Sequence, residues 1–379
     1  MTASEGPLVA LAAGGTGGHM FPAEALAAEL IGRGCKIALI TDKRGGSFGG
    51  HQADIETYRI LASGLAGKSL VKRLRGVCEL SCGLLQAHFL LKRLAPRAVI
   101  GFGGYASIPT MLAAVFGGFP TAIHEQNAVL GRANRLLASR VKRIATTFKT
   151  PLNISPDDES KIFHTGMPVR ASIVKMRETP YPALGDKGAI NILVIGGSQG
   201  AHVFSEVMPK AVELLPEAIR SRLVIAQQCR PEDLEATRNA YKQLGMAPEL
   251  RPFFDDAPER LAAAHLIIGR AGASTISEIT VVGRPSILVP YPHAIDDHQS
   301  VNAHSVDEAG AGWLMPENSF NAKTLAARLE SLFGLPAILA NTAACALKAG
   351  RPDAAKRLAD MVFELMSSGG GPESKREAA

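Results

Sequence analysis

A glycine-rich stretch near the start of the chain, "AAGGTGGHMFP", combines a phosphate-binding pattern with a titratable side chain. The apolar residues before it predict a buried strand over residues 8–13, and a helix is predicted over residues 22–33. A strand that runs into glycines and then into a helix directs backbone N–H groups and the positive end of the helix dipole at one point, which favours an anion. His19 lies at the rim of this loop. Because an imidazole titrates near neutral pH, His19 is a candidate general base.

A second turn of the same kind, "VIGGSQGA", follows the strand predicted over residues 190–195. Here Ser198 can donate its hydroxyl to a phosphate group. The turn also fits the G-x-S-x-G pattern of hydrolases, and Asp255, Asp296 and His298 follow in the chain order of an α/β-hydrolase. A serine hydrolase with Ser198 as nucleophile therefore stays open as an alternative.

A third turn, "GRAGASTISE", also leads from a predicted strand into a predicted helix. Thr275 and Glu278 fit the T-x-x-E capping box at a helix start. In a functional interpretation the start of this helix faces a diphosphate, and Glu278 accepts hydrogen bonds from ribose hydroxyls. Glu278 cannot fully satisfy both roles, and the sequence leaves the choice open.

The first loop falls short of the dinucleotide fingerprint G-x-G-x-x-G, since Met20 stands where the third glycine belongs. Asp42, at the end of the next predicted strand, is still placed to hold a ribose. A nicotinamide-dependent dehydrogenase therefore remains a second alternative.

The acidic and sulfur-containing residues indicate neither a metal site nor a bound cofactor. The chain has no D-x-D motif, and its adjacent acidic pairs would point apart on an extended chain. Its five cysteines include no C-x-x-C pair, so neither a zinc site nor a disulfide framework is indicated. We expect activity that does not depend on a divalent ion.

The chain carries a net charge of +6, which suits an acidic partner such as a nucleotide, a nucleic acid or an anionic membrane. Nucleic acid is disfavoured, because no aromatic platform or recognised module accompanies the charge. The stretch over residues 68–93 mixes basic and apolar residues as a lipid-binding surface would. We expect the part from Leu70 to Arg75 to touch an anionic membrane surface and the apolar residues after Val77 to face mainly the core.

The remaining elements repeat a strand-helix alternation in two halves, which predicts an α/β protein with two doubly wound parallel sheets. The pattern fades over residues 151–188 and then restarts. Further strands are predicted over residues 36–41, 98–101, 121–124, 222–226, 266–268 and 286–289, and helices over residues 107–116 and 131–139, with another from about His202.

Seven stretches in order between residues 9 and 303 resemble the motifs of the MurG family: "GGTGGHMFPA", "GFGGYASIPT", "HEQNAVLGRANR", "TGMPVR", "VIGGSQGA", "RAGASTISE" and "PHAIDDHQSVNA". The resemblance implies a GT-B glycosyltransferase with two Rossmann-like domains that face a cleft. It predicts an acceptor-binding, membrane-docking domain over residues 1–165 and a UDP-sugar domain over residues 166–345. A C-terminal helix over residues 346–366 and a disordered tail over residues 367–379 would follow.

The resemblance also implies the residues that bind substrate. Thr16, Gly17, Gly18 and Asn127 would meet the donor, Arg170 and Ser198 the diphosphate, Phe254 the uracil, Gln299 the transferred sugar, and Ala273, Ser274, Thr275, Ile276, Ser277 and Glu278 the nucleotide. His124 and Glu125, before Asn127, are expected to anchor the loop, with a role in serving the acceptor as the alternative. Met167 and Arg270 depart from the family pattern, and Met167 bears on how Arg170 is held.

The implied reaction moves N-acetylglucosamine from UDP-N-acetylglucosamine to the C4 hydroxyl of a lipid-linked muramoyl pentapeptide, with inversion at the anomeric carbon. His19 is the predicted base, with a structural role in ordering the loop as the alternative. The family implies a peripheral protein at the cytoplasmic face of the inner membrane, with cell-wall synthesis proteins as possible partners.

Overall fold

The computed structural model describes residues 6–14, 17–43, 55–62, 70–185, 187–197 and 200–368, with only the backbone of residues 70–75 and 77. The chain forms two compact units. Unit 1 comprises Met1–Arg170 and Asp353–Ala379, and unit 2 comprises Ala171–Pro352. The division after Arg170, rather than after residue 165, leaves the whole "TGMPVR" stretch in unit 1.

Unit 1 is built on a sheet of seven parallel strands. They are β1 (Leu8–Ala12), β2 (Lys36–Thr41), β3 (Glu56–Arg59), β4 (Ala98–Gly101), β5 (Thr121–Glu125), β6 (Arg143–Thr146) and β7 (Ile162–His164). Their order in space is β3-β2-β1-β4-β5-β6-β7. The winding therefore reverses between β1 and β4, and open α/β sheets bind ligands at the carboxyl ends of strands at such a point.

The helices of unit 1 include α1 (Gly17–Gly32), α2 (Leu70–Leu94), α3 (Ile108–Phe116) and α4 (Arg132–Ala138). The expectation for α1 was wrong at its start. The sequence favours Pro22 at the first helical position, where a missing N–H does no harm, but the helix begins at Gly17 and carries Pro22 inside it. His19 consequently lies in the first turn of a helix rather than in a loop.

Unit 2 has a six-stranded parallel sheet. Its strands are β8 (Ile190–Ile195), β9 (Leu223–Gln228), β10 (Glu249–Arg251), β11 (Leu266–Gly269), β12 (Ser286–Leu288) and β13 (Trp313–Leu314), in the order β10-β9-β8-β11-β12-β13. Its helices are α5 (Ala171–Lys175), α6 (His202–Glu213), α7 (Glu217–Arg220), α8 (Leu234–Gln243), α9 (Ala257–Ala263), α10 (Ala273–Val282), α11 (His298–Glu308), α12 (Ala322–Phe333) and α13 (Pro336–Ala349). The two parallel sheets confirm the predicted α/β class.

A last helix, α14 (Ala354–Ser368), brings the chain back to unit 1. Its side chains Leu358 and Val362 are fully buried in the core that β1 and α1 also line. At the edge of this core, the guanidinium of Arg33, directly after α1, forms an ion pair with Asp360 at 2.5 Å. The continuous helix expected over residues 346–366 is thus two helices, α13 in unit 2 and α14 in unit 1, with Gly350 and Pro352 between them.

We expect Leu358→Ala to destabilise unit 1, because it opens a cavity where α14 completes the core. A buried Leu→Ala change lowers the free energy of unfolding by about 2–5 kcal/mol. Thermal unfolding followed by circular dichroism would measure the loss. Leu214→Ala, at a leucine 52% exposed in unit 2, is the matched control and should change stability little. Equal effects of the two substitutions would contradict the packing of α14 described above.

Candidate active site

The first glycine loop of unit 1 follows β1, and its backbone packs closely against neighbouring residues at Gly14. An added Cβ atom on Gly14 would lie 2.6 Å from the Cβ of Ala106 and 2.9 Å from the Oγ1 of Thr41, so only glycine fits there. Thr16 lies outside the described residues. Gly17, Gly18 and His19 form the first turn of α1, where backbone N–H groups have no partner within the helix. The glycine-rich stretch therefore contains a helix start that favours an anion, although the helix begins at Gly17 and not at Pro22 as predicted.

The His19 ring is held from two sides. Its Nδ1 lies 3.1 Å from the Oε1 of Gln126, which directly follows β5. The ring also lies against the turn after β4, where an added Cβ on Gly104 would be 3.3 Å from the Cδ2 of His19. Gly103 and Gly104 both have positive φ, at 82° and 73°, a conformation that glycine adopts without strain. The second glycine turn thus serves as a wall for the imidazole.

Gln126 and His124 are buried beneath His19. The Gln126 Nε2 donates to the backbone oxygens of Phe102 at 2.9 Å and of His124 at 3.1 Å. Burial lowers the pKa of His124 to about 4, so its ring is neutral near neutral pH. The Nε2 of His124 lies 3.1 Å from the backbone oxygen of Gly166. Sequence reasoning did not single out Gln126, although it lies inside the quoted "HEQN" motif.

Glu125 anchors the loop that carries Asn127, as expected. One carboxylate oxygen accepts from the backbone N–H of Asn127 at 3.0 Å. The other accepts from the backbone N–H of Gly131 at 2.9 Å and from the Nδ2 of Asn134 at 2.8 Å. This buried carboxylate therefore fixes Asn127 and the start of α4 together.

Arg170 lies beside α1, with its guanidinium 5.0 Å from the ring centre of Phe21. Met167, one of the two departures from the family pattern, lies three residues before Arg170, and its side chain is buried. In unit 1, His19 thus contacts the residue after β5 that precedes Asn127, and Arg170 contacts the same helix, α1, that carries His19.

In unit 2 the second glycine turn is clamped by a buried amide. The backbone N–H of Gly196 donates to the Oε1 of Gln228 at 3.0 Å, and the Nε2 of Gln228 donates to the backbone oxygen of Gly197 at 2.9 Å and of Pro252 at 3.0 Å. Gly197 and Gly200 have positive φ, at 82° and 67°. Ser198 lies outside the described residues. Gln228, at the end of β9, is a second residue that sequence reasoning missed.

The capping box predicted at Thr275 and Glu278 is wrong. Helix α10 begins at Ala273 with Gly272 as its N-cap, and no side chain caps it. Thr275 is therefore inside the first turn, too late to be the capping residue. The start of this helix consists of the predicted nucleotide-binding residues Ala273, Ser274, Thr275, Ile276, Ser277 and Glu278. Just before it, the backbone oxygen of Ala271 accepts a hydrogen bond from the Nδ2 of Asn302 at 3.1 Å. The helix start remains available to an anion.

The segment before α11 is strained. Asp296 and Asp297 both have positive φ, at 54° and 49°, which non-glycine residues seldom adopt, and such strain clusters at functional sites. Gln299 follows in the first turn of α11, and its Oε1 accepts from the backbone N–H of Tyr291 at 3.0 Å. This bond holds the loop after β12 beside Gln299.

Phe254, the predicted uracil contact, and Arg270, a departure from the family pattern, both have buried side chains in unit 2. Phe254 is buried under the guanidinium of Arg260, which lies 4.4 Å from its ring centre, whereas the neighbouring Phe253 is 59% exposed. Arg270 donates to the backbone oxygens of Val289 at 3.2 Å and of Pro290 at 3.1 Å. Arg270 therefore ties the loops after β11 and β12 together.

Across the described part of the chain, no group of three or more His, Cys, Asp or Glu side chains is placed to hold a metal ion. In the same residues, no single helix is long and apolar enough to cross a membrane. One sharply bent pair, residues 322–333 with 336–368, meets the same test of length and composition.

We expect His124 to make stability fall as the pH falls. In the unfolded chain a histidine takes up a proton at about pH 6.5, whereas folded His124 does so only at about pH 4. Between these values the unfolded state binds more protons, so the free energy of unfolding decreases as the pH decreases. Urea unfolding of the protein and of His124→Gln at a series of pH values measures this. The wild type should lose stability more steeply below about pH 6.5 than the variant, and identical slopes would contradict a neutral buried ring.

Comparison with known proteins gives the same result for both units. Residues 9–146 match the glycosyltransferase family 28 N-terminal domain, and residues 191–358 match the glycosyltransferase family 28 C-terminal domain. This chain superposes on the crystal structure of Acinetobacter baumannii MurG with a TM-score of 0.76 and 29% sequence identity. The alignment covers 94% of this chain and 99% of that one. The similarity confirms the predicted GT-B fold.

Curated relatives align over nearly the whole chain. The chain is 58% identical over 365 residues to the UDP-N-acetylglucosamine–N-acetylmuramyl-(pentapeptide) pyrophosphoryl-undecaprenol N-acetylglucosamine transferase of Paramagnetospirillum magneticum, covering 96% of this chain and 98% of the relative. It is 52% identical over 379 residues to the protein of the same name from Rhodospirillum centenum, covering 99% and 100%. The chain therefore belongs to the MurG family of UDP-N-acetylglucosamine-dependent glycosyltransferases.

Proposed function

We propose that the chain transfers N-acetylglucosamine from UDP-N-acetylglucosamine to the C4 hydroxyl of undecaprenyl-diphospho-muramoyl pentapeptide, with inversion at the anomeric carbon. The product is the lipid-linked disaccharide used in peptidoglycan synthesis. The observation that carries the proposal is the fixed imidazole of His19 in the first turn of α1. It occurs in a chain that aligns over 96% of its length with a relative named for this transfer.

The two alternatives left open by the sequence give way to this assignment. A serine hydrolase would leave the His19 site of unit 1 without a role. A nicotinamide-dependent dehydrogenase needs the third glycine of its fingerprint where Met20 stands in α1. Neither reaction accounts for similarity to glycosyltransferases over both units.

In the proposed reaction, the acceptor hydroxyl attacks the anomeric carbon of the donor sugar. A new C–O bond forms as the bond from that carbon to the diphosphate oxygen breaks, and UDP leaves with the bonding electrons. The hydroxyl proton passes to the Nε2 of His19. A well-placed base of this kind contributes roughly 10²- to 10⁴-fold in rate.

Unit 2 offers positive electrostatic potential for the departing diphosphate. Strands β8 and β11 are neighbours, so the "GGSQG" turn and the start of α10 lie at the same edge of the sheet. Backbone N–H groups at a helix start stabilise negative charge that develops in a transition state. Arg170 and Ser198 remain the candidate side chains for the diphosphate. These groups would stabilise the leaving group without a divalent ion.

We expect His19→Ala to lower kcat by at least about 100-fold, because the acceptor hydroxyl loses its base. Donor affinity should stay within a few fold, since the imidazole is assigned to the acceptor. Steady-state UDP release with a short-chain acceptor gives kcat, and calorimetric titration with UDP-N-acetylglucosamine gives the donor affinity.

His304→Ala, at an exposed histidine of α11, is the matched control and should leave both quantities unchanged. Unaltered kcat in His19→Ala, or loss of donor binding instead of turnover, would remove His19 from the role of base.

An exposed apolar stripe on α2 supports docking to a membrane surface that carries the acceptor. Cys78, Cys82, Leu85 and Phe89 share one helix face by their spacing and are all exposed, with Phe89 at 68%. Phe116, at the end of the adjacent α3, is 69% exposed. The apolar residues after Val77 therefore do not all face the core. Apolar side chains of this kind enter the interface between headgroups and acyl chains.

Charge near this stripe suits anionic lipid, because Lys92 and Arg93 are exposed in the last turn of α2. The side chains from Leu70 to Arg75, which are predicted from the sequence to touch an anionic membrane surface, lie outside the described part of the structure. We extend the proposed surface to Leu85, Phe89 and Phe116. With the location that the family implies, we propose a peripheral protein at the cytoplasmic face of the inner membrane.

We expect the double substitution Leu85→Glu and Phe89→Glu to weaken binding to anionic vesicles by at least about tenfold, because two apolar side chains can no longer insert into the lipid interface and negative charge is added. Co-sedimentation with vesicles measures the binding. Turnover of a water-soluble short-chain acceptor should not change. Leu214→Glu, at another exposed leucine, is the control for added charge. Vesicle binding equal to that of the wild type would exclude this face of α2 as the docking surface.

A further inference from the structure

A chain of hydrogen bonds beneath His19 ends at a backbone carbonyl, which can only accept. The Nε2 of His124 lies 3.1 Å from the oxygen of Gly166, so this nitrogen must carry the proton and donate. Burial keeps the ring neutral, which leaves the Nδ1 of His124 as an acceptor. That Nδ1 lies 3.2 Å from the Nε2 of Gln126.

The orientation of the Gln126 amide follows from the same rule. Two backbone oxygens, of Phe102 at 2.9 Å and of His124 at 3.1 Å, surround one end of the amide. Only the NH₂ group can face them, since an oxygen in that position would meet two acceptors. The Oε1 of Gln126 must therefore face the Nδ1 of His19, at 3.1 Å. Gln126 is only 3% exposed, so water cannot readily replace these partners.

Since the Oε1 of Gln126 can only accept, the Nδ1 of His19 must be the donor. The neutral ring of His19 then has its lone pair on Nε2, because only one nitrogen of a neutral imidazole carries hydrogen. A free histidine in water favours the opposite tautomer, with hydrogen on Nε2. The fold thus selects the less common form, the one whose Nε2 is the basic nitrogen.

We propose that Gln126 is a positioning residue that fixes the tautomer and the ring orientation of His19, so that Nε2 accepts the proton of the acceptor hydroxyl. The proposal rests on the proposed role of His19 as base. The amide acts with the glycine turn at Gly103 and Gly104, which lies against the ring.

An amide suits this task better than a carboxylate. A carboxylate beside Nδ1 would attract the imidazolium form and keep His19 protonated before the reaction, whereas the neutral Oε1 orients the ring without that charge. When Nε2 takes up the proton, the bond from Nδ1 to Oε1 becomes charge-assisted and stronger. Gln126 therefore stabilises the protonated product of the step without protonating the base in advance.

The first test is the tautomer itself in the unaltered protein. Nitrogen-15 NMR distinguishes a protonated from an unprotonated ring nitrogen, and comparison with His19→Ala identifies the signals of His19. We expect Nδ1 to carry the hydrogen near neutral pH. A His19 ring with hydrogen on Nε2 would overturn the proposal, whatever the activity of any variant.

The second test is a double-mutant cycle. Gln126→Met keeps the length of the side chain but removes its hydrogen bonds, and we expect kcat to fall about 10- to 100-fold with both KM values within about threefold, because the base is misplaced while the substrates still bind. In a His19→Ala background the same substitution should cause no further loss of kcat. Multiplicative losses, or a rise in KM in place of the fall in kcat, would mean that Gln126 acts as general scaffolding.

Gln243→Met, at an exposed glutamine of α8, is the matched control and should leave kcat unchanged. If Gln126→Met does not fold, the NMR test on the unaltered protein still decides. Failure of the proposed function is distinguishable, because the unaltered protein would then show no acceptor-dependent UDP release. Failure of the base role would appear as full turnover in His19→Ala, regardless of which tautomer is found.

Discussion

Backbone carbonyl groups at the ends of parallel strands can only accept hydrogen bonds, and in unit 1 two of them converge on a single buried amide. The oxygen of Phe102, after β4, and that of His124, in β5, fix the side chain of Gln126. The orientation of this amide determines which nitrogen of His19 is basic. In the proposed mechanism, the sheet therefore determines which nitrogen of His19 is basic, through Gln126 as the one intermediate residue.

In unit 2 a buried glutamine amide also bonds to backbone groups, but its role differs from that of Gln126. The amide of Gln228, at the end of β9, holds both sides of the turn that includes Gly196 and Gly197. Here the amide fixes backbone rather than an imidazole, and it holds the turn that we propose for the diphosphate. In both units a glycine-rich turn provides the space or the N–H groups, and a glutamine at the end of a neighbouring strand keeps the turn in place.

The sequence predicts the strands of the sheet interiors well, because runs such as residues 36–41 and 190–195 are short, apolar, rich in β-branched residues and bounded by turn residues, which favours buried strands. It misses short or polar strands such as β3, "ETYR", whose pairing depends on the neighbouring β2. It identifies His19 and the glycine turns from local pattern. It does not identify Gln126, whose role depends on a partner 107 positions away, nor the return of α14 to unit 1. Contacts of this length leave no local signal.

The most direct measurement of the proposed function is UDP release from UDP-N-acetylglucosamine with and without a short-chain lipid-linked muramoyl pentapeptide, followed by NMR of the glycosidic bond in the product. We expect release only when the acceptor is present, with a β-linkage formed from the α-linked donor. UDP release that does not need the acceptor, or a product with retained α configuration, would contradict a direct displacement assisted by His19.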